Sequence, residues 1–495
     1  MSSSKSSPKR GDRTSFKPVS PFAMFYQLTY LSAMASAGIT RSKTFELAAS
    51  THNDAAEYFV AINRLVDEFR FDYPEACRRV GNQAKSDNMK SFLLRLSDAL
   101  SSGEPLADYL AREAHVQGED YENHYERNVE ALKQWSNAFT SIVISVALIV
   151  IIQVITSMIY SMDKNAMLMM VGAGALMSAF SAWIIYRSAP QEIITAALGQ
   201  GSAEQIRVYR MARVLVPLGA MSVALAYVVG LPIGYLLLWL AVLLAPIGVL
   251  SFMSDRQTTK KDVEFSTFLR SAGGMTTSSG TTIKQALLRL DLSSFPVLKD
   301  DVERLSMRLQ ALVEPELCWR QFGRESGSRL IHEVTDIFYG GIKIGGDPER
   351  VGYLCSLFTA KTTQLRAKRR LTAGTFGSLA VVMQGVVAGL MVFVHSVVMN
   401  FADMVENLMP SDESAAGAQA QMRMSMADFT PDELVFLTNL TGGMVLLLAA
   451  IGALAIIFSD GGFRLKIALY LAITLMISGV AFLIVPPLVD SIVSI

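Results

Sequence analysis

The sequence predicts an all-α polytopic membrane protein with two cytoplasmic helical-bundle domains and about seven transmembrane helices. Charged residues make up only 18% of the 495 residues, and mean hydropathy is positive at +0.35, which is unusual for a water-soluble protein of this size. The charge is also unevenly distributed: it is nearly absent from a few long windows and abundant between them. Membrane-spanning segments explain both observations.

A short polar tail and two longer charged regions precede the two groups of apolar windows. Residues 1–20 are polar, contain five Lys or Arg residues and lack the apolar stretch of a cleavable signal peptide, so a disordered basic tail is predicted. Residues 21–138 and 254–373 contain apolar residues at spacings of three and four, as at Leu96 and Leu100. Alternating β-branched runs bounded by turns are missing from both regions. Each is therefore predicted to be a helical domain that leads directly into the membrane.

Seven windows are long and apolar enough to cross a membrane as helices, because about 20 residues rising about 1.5 Å each cross a core about 30 Å thick. Residues 214–254 are 41 uncharged residues in a row, enough for two crossings, and the segment Gly230–Pro232 predicts the break. Four spans fall in residues 139–253 and three in residues 374–495. The predicted spans are residues 139–160, 166–186, 214–229, 231–253, 374–401, 434–458 and 467–489.

Lysine and arginine predict the orientation of these spans. Of the 44 Lys and Arg residues, 42 lie in the basic tail, in the two helical domains or in the links 187–213 and 459–466, which leaves Lys164 and Arg423 on the other side. Basic residues accumulate on the cytoplasmic side of a membrane. The N-terminus is therefore predicted to be cytoplasmic and the C-terminus external, in the cytoplasmic (inner) membrane. Segment 402–432 is then external, either as a flexible loop or as a contact for an external partner.

Three blocks of sequence recur in the same order in the two helical domains, which indicates an internal duplication. Residues Glu75–Arg79 correspond to Glu316–Arg320, 241 residues later, and residues 33–40 resemble residues 273–282. The third block is a Gly-acid-Pro triplet, which recurs 243 residues later.

The Gly-acid-Pro triplet predicts a turn between two helices. Glycine tolerates the left-handed conformation at the end of one helix, the acid favours the N-terminus of the next, and proline fits its first turn. A purely architectural turn is the simplest interpretation, and a rigid corner presented to a partner is the alternative. The triplets are Gly103, Glu104 and Pro105 in the first copy and Gly346, Asp347 and Pro348 in the second.

The sequence lacks the motifs on which common enzymes depend. Residues Gly340–Gly346 combine glycine with lysine but lack the spacing of a phosphate-binding loop, and no HExxH, GxSxG or CxxC motif occurs. His115 and His124 flank three acidic residues that could bind a metal, although a solvated turn is the simpler interpretation. We predict no enzymatic activity, cofactor, metal or nucleic-acid binding. Three cysteines are predicted to be reduced core residues: Cys77, Cys318 and Cys355.

A small-solute transporter is the competing hypothesis, and it would need costly polar or ionisable groups within the bilayer. The predicted spans contain no Asp, Glu, Lys or Arg. They include the strongly polar residues His395, Gln153, Gln384 and Asn439, and hydrogen bonds between helices account for these amides. Small residues in the second and sixth spans suit close packing between helices or subunits, which favours an assembly. A membrane receptor would need a larger external domain than segment 402–432 provides.

Segments of both copies resemble a known family. In the first copy they are Phe71–Cys77, Phe92–Leu110 and Tyr121–Trp135, and in the second copy the segment runs from Phe268 to Arg370. They resemble the type II secretion F-domain family, and within it the platform membrane proteins of the archaellum (the archaeal flagellum) and of archaeal pili. The resemblance covers nearly the whole chain from residue 22, through diffuse helical patterns rather than a catalytic signature.

This resemblance implies a platform in the cytoplasmic membrane that is not itself an enzyme. Family members form homodimers, dock a hexameric secretion ATPase on their cytoplasmic bundles, and transmit its movements to pilin-like or archaellin-like subunits that assemble outside. Eight basic residues are candidate contacts for the ATPase, and anchoring to anionic lipid headgroups is the alternative for the last four. They are Arg78, Arg79, Arg320, Arg324, Arg366, Lys368, Arg369 and Arg370.

Overall fold

The computed structural model describes residues 16–159, 164–190, 192, 194, 201–408 and 431–493. Most of the predicted basic tail, the turn before Lys164 and most of the predicted external loop lie outside these residues. Within the described ranges the chain is built of helices and contains no β-strand, so the all-α prediction is confirmed.

The helices vary from 7 to 61 residues in length. They are α1 (Pro21–Ala35), α2 (Arg41–Ala49), α3 (Ala56–Phe69), α4 (Tyr73–Asn82), α5 (Asp87–Ser102), α6 (Leu106–Ile159), α7 (Lys164–Ser188), α8 (Ala203–Val228), α9 (Ile233–Ser279), α10 (Ile283–Arg289), α11 (Lys299–Gln310), α12 (Pro315–Glu325), α13 (Arg329–Lys343), α14 (Pro348–Leu408), α15 (Pro431–Asp460) and α16 (Ile467–Val493). Short 3₁₀ turns follow α10 and precede α16.

Seven of the described helices are long and apolar enough to cross a membrane, as predicted. They are α6, α7, α8, α9, α14, α15 and α16. The predicted break after the third span is also confirmed, because Gly230 has a positive φ of 82° between the end of α8 and the start of α9. Helices α6, α9 and α14 continue far beyond their apolar windows without interruption. A search for uncharged residues finds the apolar part of such a helix and misses its charged extension.

The duplicated sequence blocks fall on corresponding helices. The order α3–α6 is repeated by α11–α14, and the blocks Glu75–Arg79 and Glu316–Arg320 lie on α4 and α12. Cys77 and Cys318 are buried at equivalent positions, and all three cysteines are free and buried, as predicted. The helix order therefore agrees with the internal duplication.

The two Gly-acid-Pro turns differ in detail. Gly103 has the expected left-handed conformation at the end of α5, with φ 77°. In the second copy the left-handed residue is Gly345, with φ 94°, one position before the expected glycine. Gly346 instead allows a close approach, since a Cβ there would lie 2.8 Å from the carbonyl oxygen of Gly341. Asp347 accepts a hydrogen bond of 3.3 Å from the backbone N–H of Arg350, as a helix N-cap does.

The chain divides into two compact units. Of the described residues, the first unit contains those within 1–124, 262–323 and 330–362, and the second contains those within 125–261, 324–329 and 363–495. Both copies of the duplicated helices contribute to the first unit, where the rings of Phe25 and Phe358 lie 4.6 Å apart and Arg350 pairs with Asp108 at 3.1 Å. Both copies thus belong to one unit, and their division into two cytoplasmic domains stays a prediction. The second unit contains the apolar parts of the long helices.

Candidate functional site

The second unit contains a layer of charged residues where several long helices leave their apolar windows. Each residue is largely buried, although charged side chains are rarely buried unless they are paired. We call this group the charged layer. It consists of Arg366, Arg369 and Arg370 of α14, Asp255 of α9, Asp460 of α15 and Lys466 of the turn before α16.

Arg369 binds the ends of two other helices. Its Nε donates to the carbonyl oxygen of Ser459 at 2.8 Å, and one terminal nitrogen donates to that of Phe458 at 3.0 Å. The other terminal nitrogen donates to the carbonyl oxygen of Pro190, just beyond α7, at 2.9 Å. The last carbonyl groups of a helix have no partner within it and carry partial negative charge. A guanidinium that is only 3% exposed supplies both the donors and the positive charge.

Asp255 is the centre of the rest of the layer. Its carboxylate accepts hydrogen bonds from the backbone N–H of Phe463 at 3.1 Å and from Nζ of Lys466 at 3.2 Å. Lys466 also donates to Asp460 at 2.7 Å, and Arg370 pairs with Asp255 at 3.4 Å. Two carboxylates therefore balance two cations. Nε of Arg370 has no hydrogen-bond partner among the described residues. Because each charge is nevertheless paired with an opposite charge, burial costs far less than it would for one isolated charge.

Arg366 forms a separate buried ion pair, with Nε 3.1 Å from a carboxylate oxygen of Glu192. Both side chains are less than a tenth exposed. This pair joins α14 to the segment that follows α7. The charged layer thus connects α7, α9, α14, α15 and α16 at one level of the second unit.

The opposite ends of the same helices have contacts of their own. The amide of Asn400, on α14, donates to Asp490, on α16, at 2.8 Å, and the ammonium of Lys164 lies 6.0 Å from the ring centre of Phe436. The charged layer and these contacts therefore mark two different ends of the second unit's helices. Contacts at two opposite ends of these helices agree with helices that cross a membrane one after another. The direction of the chain in the membrane stays a prediction.

The eight predicted contact residues separate into exposed and buried groups. Arg366 and Arg369 are buried, and Arg370 is about a quarter exposed; the contacts of all three belong to the charged layer. Lys368 is partly buried and pairs with Glu126. The other four are exposed, which leaves them available to a partner: Arg78, Arg79, Arg320 and Arg324. ATPase docking stays a prediction for all eight residues.

Ion pairs join the corresponding long helices of the two copies, α6 and α14. In the first unit, Asp108 pairs with Arg350 at 3.1 Å and Glu122 with Lys361 at 2.8 Å. In the second unit, Glu126 of α6 pairs with Lys368 of α14. Each acid lies on α6 and each base on α14, separated by nearly the interval of the duplication. The two helices therefore run parallel and in register. The sequence analysis missed this pairing, although opposite charges at duplicated positions could have indicated it.

The polar residues of the spans differ in how well they are bonded. The amide of Gln384 donates to Ser478 at 3.1 Å and to the carbonyl oxygen of Val445 at 3.3 Å, so hydrogen bonding between helices accounts for it as expected. His395 lies 3.3 Å from the hydroxyl of Thr438. Gln153 is buried, yet neither atom of its amide has a partner among the described residues. The expected explanation does not apply to Gln153.

The prediction of a solvated turn around His115 and His124 was wrong. Both residues lie within α6, where His115 and Glu119 form an i, i+4 pair at 3.7 Å. The apolar pattern is weak there because this part of α6 is charged, and that charge led to the prediction of a turn. In the ranges that the structure describes, no three His, Cys, Asp or Glu side chains form a cluster able to hold a metal ion.

A family comparison covers the first copy of the duplicated helices. Residues 28–153 match the family described as Type II secretion system (T2SS), protein F. The match covers 126 of the 495 residues. The resemblance predicted from the sequence is thereby confirmed, and the matched F domain ends within the apolar part of α6.

Two curated relatives are similar to a larger part of the chain, and both are named Flagella accessory protein J. The protein of Methanocaldococcus jannaschii is 26% identical over 321 residues, which are 62% of this chain and 56% of that relative. The protein of Methanococcus voltae is 22% identical over 413 residues, 80% of this chain and 72% of that relative. The first alignment thus spans little more than half of the relative's length. No solved structure matches the chain.

Proposed function

We propose that this chain is the membrane platform of an archaellum or of a type IV pilus-like assembly machine. The observation that carries the proposal is the F domain at residues 28–153 in a chain that resembles two flagella accessory proteins. Seven apolar helices suit a multi-pass platform. In this proposal the platform has no catalytic role, and a hexameric secretion ATPase on the cytoplasmic side supplies the energy.

Helices α6 and α14 are the proposed route for movement. Each runs without a break from the first unit into an apolar window, over 54 and 61 residues respectively. Their shared ion pairs favour movement of the two helices together. The charged layer then joins α14 to α9, α15 and α16, so that a displacement of α14 acts on several spans. We propose that pilin-like or archaellin-like subunits, assembling on the external side, respond to this displacement.

Exposed arginines of the first unit are the proposed ATPase contacts. The side chains of Arg78, Arg79 and Arg320 are each about half exposed and pair with acidic side chains that are 39–74% exposed. Such surface ion pairs contribute about 0–1 kcal/mol. The guanidinium groups can therefore exchange these neighbours for carboxylates of a partner at small cost to the fold. Arg366 and Arg369 differ, because their reversal would leave buried charges unpaired.

Charge reversal of the exposed arginines tests docking. The variant Arg78→Glu/Arg79→Glu/Arg320→Glu is expected to retain little ATPase in co-purification from membranes and to shorten or abolish filaments. The control variant Arg41→Glu/Arg64→Glu changes two other exposed arginines of the first unit. It is expected to retain ATPase binding and filaments of normal length. Undiminished ATPase binding by the triple variant would exclude these contacts. Normal filaments in cells that lack the chain would refute the platform itself.

A homodimer is part of the same proposal, and disulfide cross-linking with single introduced cysteines tests it separately. The small-solute transporter makes an opposite prediction, namely solute flux across vesicles that contain the purified chain alone. Gln153 is the residue to change in that assay, because its buried amide has no partner among the described residues. Flux that Gln153→Leu abolishes would favour the transporter over the platform.

A further inference from the structure

A row of exposed arginines lies along the beginning of α8. Arg207, Arg210 and Arg213 follow one another at intervals of three residues, and all three are exposed. Residues three apart are neighbours on a helix surface, so the row extends about 9 Å along the axis. Among the described residues, none of the three side chains has an ion pair or hydrogen bond. These cations are therefore available to an external anion.

The row lies on the outer face of α8. On the other face, Val208 and Ala212 are buried in a cluster with Ile247 of α9 and with Phe463. Gln205, three residues before Val208, is also buried, and its amide donates to the carbonyl oxygen of Gly327 at 3.1 Å. The packing of the helix thus fixes which side the arginines present.

We propose that Arg207, Arg210 and Arg213 bind the phosphate groups of anionic lipid headgroups. The same outer face of the second unit becomes apolar directly after the row, as the surface of a membrane protein does where headgroups give way to hydrocarbon. Five apolar side chains that follow the row on α8 are each more than half exposed: Val214, Val216, Leu218, Met221 and Leu225.

Aromatic residues mark the same level of the second unit. The ring of Tyr209, within the row, lies 5.3 Å from that of Phe463, and the ring of Tyr186 lies 5.0 Å from that of Phe458. Phe458 and Phe463 flank the end of α15. Tyr186 and its neighbour Trp183 are about half exposed. Tryptophan and tyrosine are enriched at membrane–water interfaces, so the arginines lie at the depth where phosphate groups are found.

The row also accounts for lipid binding better than the arginines of α14 do. Arg366 and Arg369 are buried and bonded within the chain, whereas the α8 row is exposed and unpaired among the described residues. This inference does not depend on the proposed platform function, because it concerns only the lipid that surrounds the second unit.

Native mass spectrometry of the intact chain tests the proposal. The full chain in detergent receives equal amounts of phosphatidylglycerol, which is anionic, and phosphatidylcholine, which has no net charge. Each basic residue near an anionic surface strengthens binding about fivefold, so Arg207→Gln/Arg210→Gln/Arg213→Gln is expected to lower the preference for phosphatidylglycerol about 100-fold. High salt is expected to weaken the preference of the wild-type chain.

Two further variants control for folding and for total charge. The triple lysine variant, Arg207→Lys/Arg210→Lys/Arg213→Lys, retains the charges and is expected to retain the preference. Arg41→Gln/Arg64→Gln/Arg289→Gln removes three exposed charges from the first unit and is expected to behave as wild type. An unchanged preference in the triple glutamine variant would overturn the proposal. A wild-type chain without any preference for the anionic lipid would also overturn it.

Discussion

The Nε atom of Arg369 donates a hydrogen bond of 2.8 Å to the carbonyl oxygen of Ser459, the penultimate residue of α15. Gly461, which follows the helix, is left-handed with φ 66°, and a Cβ at this position would collide with the guanidinium. Arg369 and Gly461 therefore form a single helix cap, in which glycine provides both the backbone conformation and the space for a side chain from α14.

Arg369→Lys is expected to lower the free energy of unfolding by about 3 kcal/mol. A lysine cannot reproduce the three-donor geometry, and each lost hydrogen bond to a charged group costs about 1.5–3 kcal/mol. Thermal unfolding of the purified chain in detergent measures the effect. Lys368→Gln, at the partly exposed neighbouring position, removes only the ion pair with Glu126; it is the control and is expected to change stability by less than about 1 kcal/mol. A wild-type unfolding temperature for Arg369→Lys would contradict the assigned cap.

Gly248→Ala is expected to destabilise the second unit by about 1–3 kcal/mol, the usual cost of overpacking. Gly248 of α9 lies against the backbone of Leu469 of α16, and a Cβ would lie well inside van der Waals contact with it. Backbone atoms cannot rotate away as a side chain can. Gly443→Ala is the matched control, because nothing lies within 4 Å of a Cβ there. Equal unfolding temperatures for the two variants would contradict the close approach.

Local patterns were sufficient to predict the spans and the duplication. Residues 214–254 predict two helices and their break at Gly230, because a bilayer requires both length and absence of charge. The contacts of the charged layer could not be predicted in this way. Asp255 and Lys466 are 211 residues apart in the chain, and their pairing depends on how α9 and α16 pack.

Two adjacent basic residues also show that sequence patterns do not predict which side chains are buried. Lys368 and Arg369 look alike in the sequence, yet the lysine side chain is 42% exposed and the arginine is buried. Successive residues on a helix point about 100° apart, so the positions of α15 and of the segment after α7 decide which one is covered. The sequence therefore located a basic segment correctly and could not assign a role to its members.

Leu312→Gly is expected to stabilise the first unit by about 0.5–1 kcal/mol. Leu312 follows α11 in the left-handed conformation, with φ 58°, which costs a non-glycine residue about 1–2 kcal/mol. The greater freedom of glycine in the unfolded chain offsets part of this gain. Chemical denaturation of the variant measures the change. Arg70, with φ 59° in the corresponding turn of the first copy, is expected to respond in the same way to Arg70→Gly.

Leu312→Ala is the control for this strain. Alanine removes most of an exposed apolar side chain, but it has a Cβ and keeps the backbone penalty, so little gain is expected. Equal stabilisation by alanine and glycine would show that the exposed side chain, rather than the backbone conformation, destabilises the turn.

Cys77 is expected to resist alkylation in the folded chain. Burial raises the pKa of its thiol to about 12, because a thiolate would lose its hydration. Only the thiolate reacts, and at pH 8 a pKa of about 12 leaves about 1 thiol in 10,000 ionised. In the unfolded chain the pKa returns to about 8.5, and alkylation becomes fast. Mass spectrometry after iodoacetamide treatment at pH 8, with and without denaturant, measures both states. Rapid labelling of Cys77 without denaturant would contradict its burial in the first unit.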